Sequence, residues 1–277
     1  TKTYTIETEE GDVFVSDENE KMTWDYFGPE EQIYRIEVRA EAADVIVQDA
    51  AEAELPASVE DGTIPVGVWK SREDASSVES HVEDGVLYIN CTAGDYYSGD
   101  DWGTEIRICL PEEGISQLSV SSDLGNVDLT DSLRIGTLEA DLEAGNLDIG
   151  DQVFINESAA VSCGSGDIDV RDLTCLGDMQ VSLDLGNAYL GFQDLGGSLD
   201  VTMGSGNGEI ELPGDEADYN YDLSTGTGNI DFGDWGSDDD DWEHHTEFYP
   251  DGSENHVFQS GIGATMQLTN IPGGSTI

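Results

Sequence analysis

The chain has 277 residues and carries 61 Asp and Glu against 9 Lys and Arg, which gives a formal net charge of -52. Nine cations cannot build the basic face that phosphate neutralisation needs, so the composition excludes a nucleic-acid-binding protein and direct attraction to anionic lipid headgroups. Hydrophobic residues make up 37% of the chain and recur with a fixed period, so we expect a folded protein rather than acidic disorder.

The N-terminal part of the chain predicts strands in a less regular arrangement. Residues 36–40 and 43–47 alternate apolar and polar side chains, and they keep the five-residue offset, from Val38 to Ala43, that recurs further along. Three more strands are predicted at 65–69, 86–91 and 104–110. We assign residues 1–110 to an irregular N-terminal β region that caps the repeats, because the terminal units of repeat proteins are commonly atypical.

A module of about 20 residues repeats through the rest of the chain. Each copy has an alternating strand, a glycine, an Asn or Asp, and a second short strand. The glycines stand 20, 21, 20, 20 and 22 residues apart, at Gly125, Gly145, Gly166, Gly186, Gly206 and Gly228. The alternation continues, slipped by one residue, through 258–268.

This pattern predicts an all-β protein and, within that class, a single-stranded β-solenoid (β-helix) with coils of about 20–22 residues. A unit of this length cannot bury its apolar face alone, and stacked units bury a continuous core. A sandwich of hairpins is the competing architecture, but it does not require the same pentapeptide at every twentieth residue. We assign residues 111–277 to the regular repeats, with an acidic loop insertion at 233–256.

Stacked coils would bring identical positions into rows. The glycines are expected at tight corners with positive φ, and the Asn or Asp after each of them is expected to form a ladder. Asp128, Asp148 and Asp169 would then lie about 5 Å apart on the outside, where solvent screening or weakly bound Ca²⁺ would offset their repulsion. Cys163 takes a position whose equivalents in other copies are apolar, which predicts a buried thiol.

Two loops interrupt the pattern and combine aromatic rings with carboxylates, as a sugar-binding surface does. The first spans 94–103 and the second is the insertion at 233–256. A run of four acidic residues beside His244 and His245 in the second loop could hold a cation, although acidic runs are usually solvated excursions. The candidate ligand surface is Tyr96, Tyr97, Trp102, Trp235 and Trp242; the candidate metal ligands in the loop are Asp238, Asp239, Asp240 and Asp241.

No catalytic signature accompanies these features. The sequence has no Gly-x-Ser-x-Gly, His-Glu-x-x-His or phosphate-binding glycine loop, and we expect no enzymatic activity and no cofactor apart from Ca²⁺. The cysteines Cys91, Cys109, Cys163 and Cys175 fit no zinc pattern, and their even number allows two disulfides in any of three pairings, among them Cys91 with Cys109.

The repeat units, together with the Ile-Cys-Leu-Pro segment at 108–111 that precedes them, resemble the bacterial DUF4097 family, the "putative adhesin" β-strand-repeat proteins. The resemblance covers most of the chain and is strongest over 104–233. It implies a domain at the cell surface, often behind one transmembrane helix. The chain begins without Met, and we expect such an anchoring segment to be missing from it.

The sequence therefore favours a non-enzymatic extracellular β-solenoid that presents a strongly acidic repetitive surface for adhesion or cell-envelope interaction, with Ca²⁺ as a stabilising ion. The expected partner is an extracellular protein or glycan. The alternative is a carbohydrate-binding or carbohydrate-active protein that uses the loops at 94–103 and 233–256. Adaptation to high salt is a third interpretation, which explains the charge without assigning a function.

Overall fold

The computed structural model describes residues 22–56, 58–71, 76–94, 103–130, 132–213, 219–232 and 255–270. The last two ranges are described through their strand pairing. The described residues form strands and one short 3₁₀ turn, Pro29–Glu31, with no α-helix among them. The predicted all-β class is therefore confirmed.

Seven strands of the described residues precede the regular repeats. Their bounds are β1 Thr23–Phe27, β2 Arg35–Ala40, β3 Asp44–Asp49, β4 Ile64–Lys70, β5 Ser76–Glu83, β6 Val86–Ala93 and β7 Thr104–Leu110. The three strands predicted between 65 and 110 correspond to β4, β6 and β7. Strands β1 and β5 were not expected, because they lack an alternation long enough to identify.

Where the structure describes the repeats, they form eleven further strands. Their bounds are β8 Ile115–Leu124, β9 Val127–Leu129, β10 Arg134–Ala144, β11 Leu147–Ile149, β12 Phe154–Ser165, β13 Ile168–Cys175, β14 Asp178–Leu185, β15 Ala188–Leu195, β16 Ser198–Leu212, β17 Tyr219–Phe232 and β18 Asn255–Asn270.

Strands β8 to β16 form a central stack, in which each turn of the chain pairs in parallel with the next. The long strands β8, β10, β12, β14 and β16 pair in that order, so that Val120 lies beside Ala140 and Val161 beside Val181. The short strands form a second parallel ladder in the same order. The step along the chain from one layer to the next is the predicted 20 or 21 residues.

The long strands turn corners and change partners along their length. Phe154 and Ile155, at the start of β12, pair with Thr174 and Cys175 of β13, while the rest of β12 pairs with β14. The pairings consequently close a ring of five parallel strands, β12–β13–β15–β16–β14. The apolar side chains of these strands point inside and form one buried cluster.

The predicted early coil at 36–47 is part of this arrangement. Val38 pairs with Val120 and Val45 with Val127, so β2 and β3 form the layer directly below β8 and β9. The next layer down is supplied by β6 and β7, which follow later in the sequence and also pair in parallel with β2 and β3. Antiparallel strands β5, β4 and β1 close this end of the stack.

The C-terminal end departs from the prediction. Strand β18 runs antiparallel and lies between β16 and β17, so Gly206 and Gly228 both face Gly261. The prediction that the sixth copy, at 228–232, stacks directly on the fifth is wrong, and so is the forward continuation at 258–268. The 22-residue step supplies two residues more than a regular step, about 7 Å of extended chain, which exceeds the roughly 4.8 Å that one additional strand requires.

Candidate binding surface

A polar ladder at one corner of the stack fixes which side chains face outward. Gly125, Gly145, Gly166, Gly186 and Gly206 have φ between +142° and +155°. A Cβ at each of the last four would collide with the carbonyl oxygen of the glycine one layer below. Only glycine therefore fits at the corner in these four layers, as the repeat predicted.

The residue after each corner glycine hydrogen-bonds to its equivalent in the layer below. The amide N–H of Asn146 donates to Asn126 Oδ1 (3.0 Å), and the N–H of Asp167 donates to Asn146 Oδ1 (2.9 Å). Asn187 donates both its N–H and its Nδ2 to Asp167 Oδ1, at 2.8 and 3.0 Å. The predicted superposition is confirmed, and the ladder runs through Asp44, Asn126, Asn146, Asp167, Asn187 and Asn207.

Two residues beyond the ladder lies the acidic row, which consists of Asp128, Asp148, Asp169, Tyr189 and Glu209 on successive layers. Asp148 pairs directly with Asp128 on one side and with Asp169 on the other. The apolar residues on either side of these carboxylates are buried, as predicted. The expected outward row of acids is therefore present, with Tyr189 interrupting it before Glu209.

The carboxylates of the acidic row interact with each other and with Arg171. Partial burial and the neighbouring Asp169 raise the pKa of Asp148, and Arg171 acts in the opposite direction. Arg171 Nε donates to Asp169 Oδ1 at 3.2 Å, and its Nη2 contacts the other carboxylate oxygen. The repulsion expected from stacking like charges is thus visible at Asp148 and is partly offset by an arginine two residues beyond Asp169.

Tyr189 connects the upper end of the acidic row to the next layer. Its hydroxyl donates to Glu211 Oε2 at 2.7 Å. Burial, that hydrogen bond and the surrounding carboxylates raise the pKa of Tyr189. This phenol therefore remains protonated and serves as a hydrogen-bond donor to a carboxylate.

The structure gives partial information on the predicted metal ligands. In the part of the chain that it describes, no group of three or more His, Cys, Asp and Glu side chains is arranged to hold a metal ion. Asp128, Asp148 and Asp169 lie on three successive layers, one carboxylate on each, and so form a row rather than a cluster. The other candidates lie outside the described residues: Asp238, Asp239, Asp240, Asp241, Tyr96, Tyr97, Trp102, Trp235 and Trp242.

The structure shows a second outward surface that was not predicted from the sequence. It is a shallow cavity of about 440 Å³ on the outer face of β10, β12, β14 and β16, which we call the trough. The outward residues of β12 are small and form its floor, with longer polar side chains on the strands to either side. The trough is lined by Glu139, Asp141, Ala160, Ser162, Gln180, Ser182, Asp200 and Thr202, with the edges of Ala140, Val161 and Val181 beneath.

The trough is a wide, shallow depression lined mostly by polar residues. Its floor strand lies about 5 Å from the strands on each side, so its width between β10 and β14 is about 10 Å. Glu139 and Asp141 on one wall and Asp200 beyond the other are hydrogen-bond acceptors, while Gln180 and the hydroxyls can also donate. Ser162 donates to Asp141 within the trough. The sequence signal for it was the run of small outward residues between Ser158 and Gly164.

The four cysteines are buried free thiols. Cys163 lies between Leu142 and Leu183 in the core, as predicted, and its thiol faces the carbonyl oxygen of Gly145 at 3.4 Å. Burial raises the pKa of each thiol. A disulfide between Cys91 and Cys109 is not formed, and these buried thiols are not suited to nucleophilic chemistry.

Among the described residues, none belongs to a helix with the length and hydrophobicity that a membrane span requires. No protein-family model and no curated protein matches the chain.

Several solved structures are similar to the chain, among them the following three. A putative cell adhesion protein from Clostridium sporogenes shares 11% identity over 62% of this chain and 82% of its own, with a TM-score of 0.38. A putative adhesin from Bacteroides fragilis shares 15% identity over 67% and 86%, with a TM-score of 0.32. A putative adhesin from Parabacteroides distasonis shares 13% identity over 68% and 94%, with a TM-score of 0.25.

Proposed function

We propose that this chain is a non-enzymatic adhesin-type binding module of a cell surface, in which a rigid stack displays a repetitive acidic face to an extracellular protein or glycan. The trough carries the proposal, because it places hydrogen-bonding groups at regular intervals across four neighbouring strands. A surface that repeats every layer suits a ligand that itself repeats. Tethering by a membrane segment outside this chain belongs to the same proposal.

The scaffold we propose for this module is a single-stranded β-solenoid. Its support is the in-register parallel pairing of each turn with the next from β8 to β16, and the hydrogen-bonded ladder at the common corner. Such a scaffold holds outward side chains on rigid strands, which positions a binding surface more accurately than loops do.

The trough is tested with two variants that carry the same change in charge. The trough variant combines Glu139→Gln, Asp141→Asn and Asp200→Asn, and the control variant combines Asp128→Asn, Asp148→Asn and Asp169→Asn. Both proteins are applied to an array of neutral and acidic glycans and to immobilised extracellular matrix proteins. We expect the trough variant to lose at least ten-fold in retention and the control variant to keep it. Equal loss in both would reduce the effect to net charge and contradict a site in the trough.

Calcium is proposed as a stabilising ion of the acidic row, where Asp148 lies between Asp128 and Asp169. An ion that binds only the folded state raises the melting temperature by mass action. Thermal unfolding is therefore measured with EDTA and with millimolar Ca²⁺ at matched ionic strength. We expect a higher melting temperature with Ca²⁺, and a smaller difference in the variant that lacks all three carboxylates. If the melting temperature rises with any salt and Ca²⁺ has no additional effect at matched ionic strength, the ions only screen charge and the proposed calcium binding is contradicted.

A further inference from the structure

The C-terminal end of the stack presents a long strand edge. In the described part of the chain, β17 pairs with β18 alone, so the N–H and C=O groups along its other edge face no described strand. The strand has 14 residues, which corresponds to an edge of about 45 Å. A row of unpaired backbone groups of this length is a template for pairing with another strand.

Within the described residues, the edge strands at the opposite end of the stack have features that hinder pairing, and β17 lacks them. The edge strand β1 has only 5 residues and carries Asp25, and the edge strand β5 carries Glu79 and Glu83. Short length, proline and charge are the features that keep an edge from pairing. Strand β17 contains no Pro, Lys or Arg, and its only charged residues are Asp222 and Asp231.

The chain itself shows how this stack receives an additional strand. Strand β18 pairs antiparallel with β16 on both sides of the corner, from Ser198 opposite Thr269 to Leu212 opposite Asn255. It has a Gly-x-Gly segment, Gly261 to Gly263, where it passes the corner opposite Gly206. Strand β17 has the same segment, Gly226 to Gly228, and thus meets the requirement that the corner sets for an incoming antiparallel strand.

We infer that the free edge of β17 pairs antiparallel with β17 of a second copy of this chain. Two-fold pairing centred on Thr227 places Gly226 opposite Gly228. It also places Asp222 opposite Phe232 and Asp231 opposite Leu223, so no two carboxylates lie directly opposite each other. The same patch is used on both copies, which is the geometry of an isologous dimer. In this dimer the two stacks meet at their C-terminal ends, and their N-terminal ends point away from each other.

This dimer goes beyond the proposed adhesion role and does not depend on it. Its association has a distinctive response to salt, because each copy carries a net charge of -52. Salt shortens the Debye length from about 10 Å at 0.1 M to about 3 Å at 1 M and so weakens the repulsion between copies. The dimer should therefore strengthen with salt, whereas a basic strand from another protein would bind more weakly.

The test is sedimentation equilibrium of the full chain from low salt to molar NaCl, combined with residue-resolved amide exchange. We expect the dimer dissociation constant to fall at least ten-fold over this range. Dimer formation should protect alternate amides of β17, because successive N–H groups of a strand point to opposite sides. A chain that stays monomeric at millimolar concentration in molar salt would overturn the inference, as would protection confined to β1 or β5.

Two neighbouring proline variants, Ser224→Pro and Thr225→Pro, provide a matched control. One of them removes an N–H that faces β18 and the other removes an N–H on the free edge. We expect one variant to lower the melting temperature of the monomer and the other to leave it unchanged while abolishing the dimer. If both variants still dimerise, β17 is not the interface and the inference fails. Retention on glycans or matrix proteins by a monomeric chain would support the adhesion role while the dimer is rejected.

Discussion

The central stack and the two ends of this molecule are built from similar strands but pair them differently. Between β8 and β16 every neighbouring pair is parallel, and the corner ladder passes from layer to layer. At both ends antiparallel strands take over, with β4 and β5 at the N-terminal end and β18 at the C-terminal end. The glycine corners accompany the parallel arrangement from β8 to β16, and below them β2, β3, β6 and β7 still pair in parallel with Ala43 at the equivalent corner.

The glycine corners repeat for a steric reason. Each glycine carbonyl in the central stack lies where the Cβ of the next corner residue would be, so the chain must repeat the same bend with the same residue. A strand that stacks on a glycine corner must therefore carry glycine at its own corner, whereas Ala43 takes the equivalent position in the layer below Gly125. An antiparallel strand such as β18 needs only small residues at the corner, and it ends the series.

The largest expected effect comes from filling one of these corners. Gly166→Ala places a Cβ against the carbonyl oxygen of Gly145 at a φ of +155°. Positive φ and the forced shift of the backbone together should cost about 3 kcal/mol of unfolding free energy, measured by chemical denaturation. Gly103→Ala, at the N-terminal end, meets only the ring of Trp69 at 3.3 Å and should cost less than about 1 kcal/mol. Equal losses would contradict a special role for the corner.

The seam between the central stack and the N-terminal end lies at β8, which pairs with both β2 and β10. Ser122 is 1% exposed, and its hydroxyl has no hydrogen-bond partner, while Leu142 occupies the equivalent position one layer up. Burial of an unpaired hydroxyl is unfavourable, so Ser122→Ala should stabilise the fold by about 1 kcal/mol. Ser121→Ala, at the adjacent outward position, should change the denaturation midpoint little. Destabilisation by Ser122→Ala would show that the hydroxyl has a partner.

The repeat made the central stack predictable from the sequence. One glycine spacing predicted the layer step, the corner, the ladder and the inward position of Cys163. The early coil could also be recognised, because Val38 and Ala43 keep the same offset as Val120 and Gly125. These features were predictable because each depends only on the length and residue pattern of one repeat, and every copy of the repeat has the same geometry.

The order of the layers could not be predicted, because it depends on pairing between distant segments. Nothing in residues 86–110 indicates that β6 and β7 lie below β2 and β3 rather than above them. The 22-residue step before Gly228 was visible, but a two-residue excess is equally compatible with a bulge. The trough was missed because its floor is defined by small side chains, such as Ala160 and Ser162, and sequence reasoning about sites looks for reactive or aromatic ones.

A smaller effect is expected from a rung of the ladder. The side-chain Nδ2 of Asn187 donates to Asp167 in the layer below. Asp167 has no Nδ2, so only its backbone N–H donates to Asn146. Asp167→Asn supplies that donor inside the central stack and should raise the unfolding free energy by about 0.5–1 kcal/mol. Asp44→Asn makes the same change on the first rung, at the N-terminal end, where no ladder residue lies below. The Asp44→Asn variant should gain less unfolding free energy than Asp167→Asn, as measured by chemical denaturation. A larger gain for Asp44→Asn would contradict the added ladder hydrogen bond as the cause.

The smallest effect concerns the acidic row and depends on pH. Burial and Asp169 raise the pKa of Asp148, so the charged carboxylate is less favourable in the folded state than in the unfolded chain. The unfolded state then binds fewer protons, and the contribution of this group to stability falls as pH rises from about 4 through the raised pKa. Asp148→Asn should therefore be more stable than the original chain at neutral pH, with no advantage below pH of about 4. Asp200→Asn changes the net charge equally but lies away from Asp169. If its melting temperature follows the same pH profile, the effect belongs to the overall charge and not to the contact between Asp148 and Asp169.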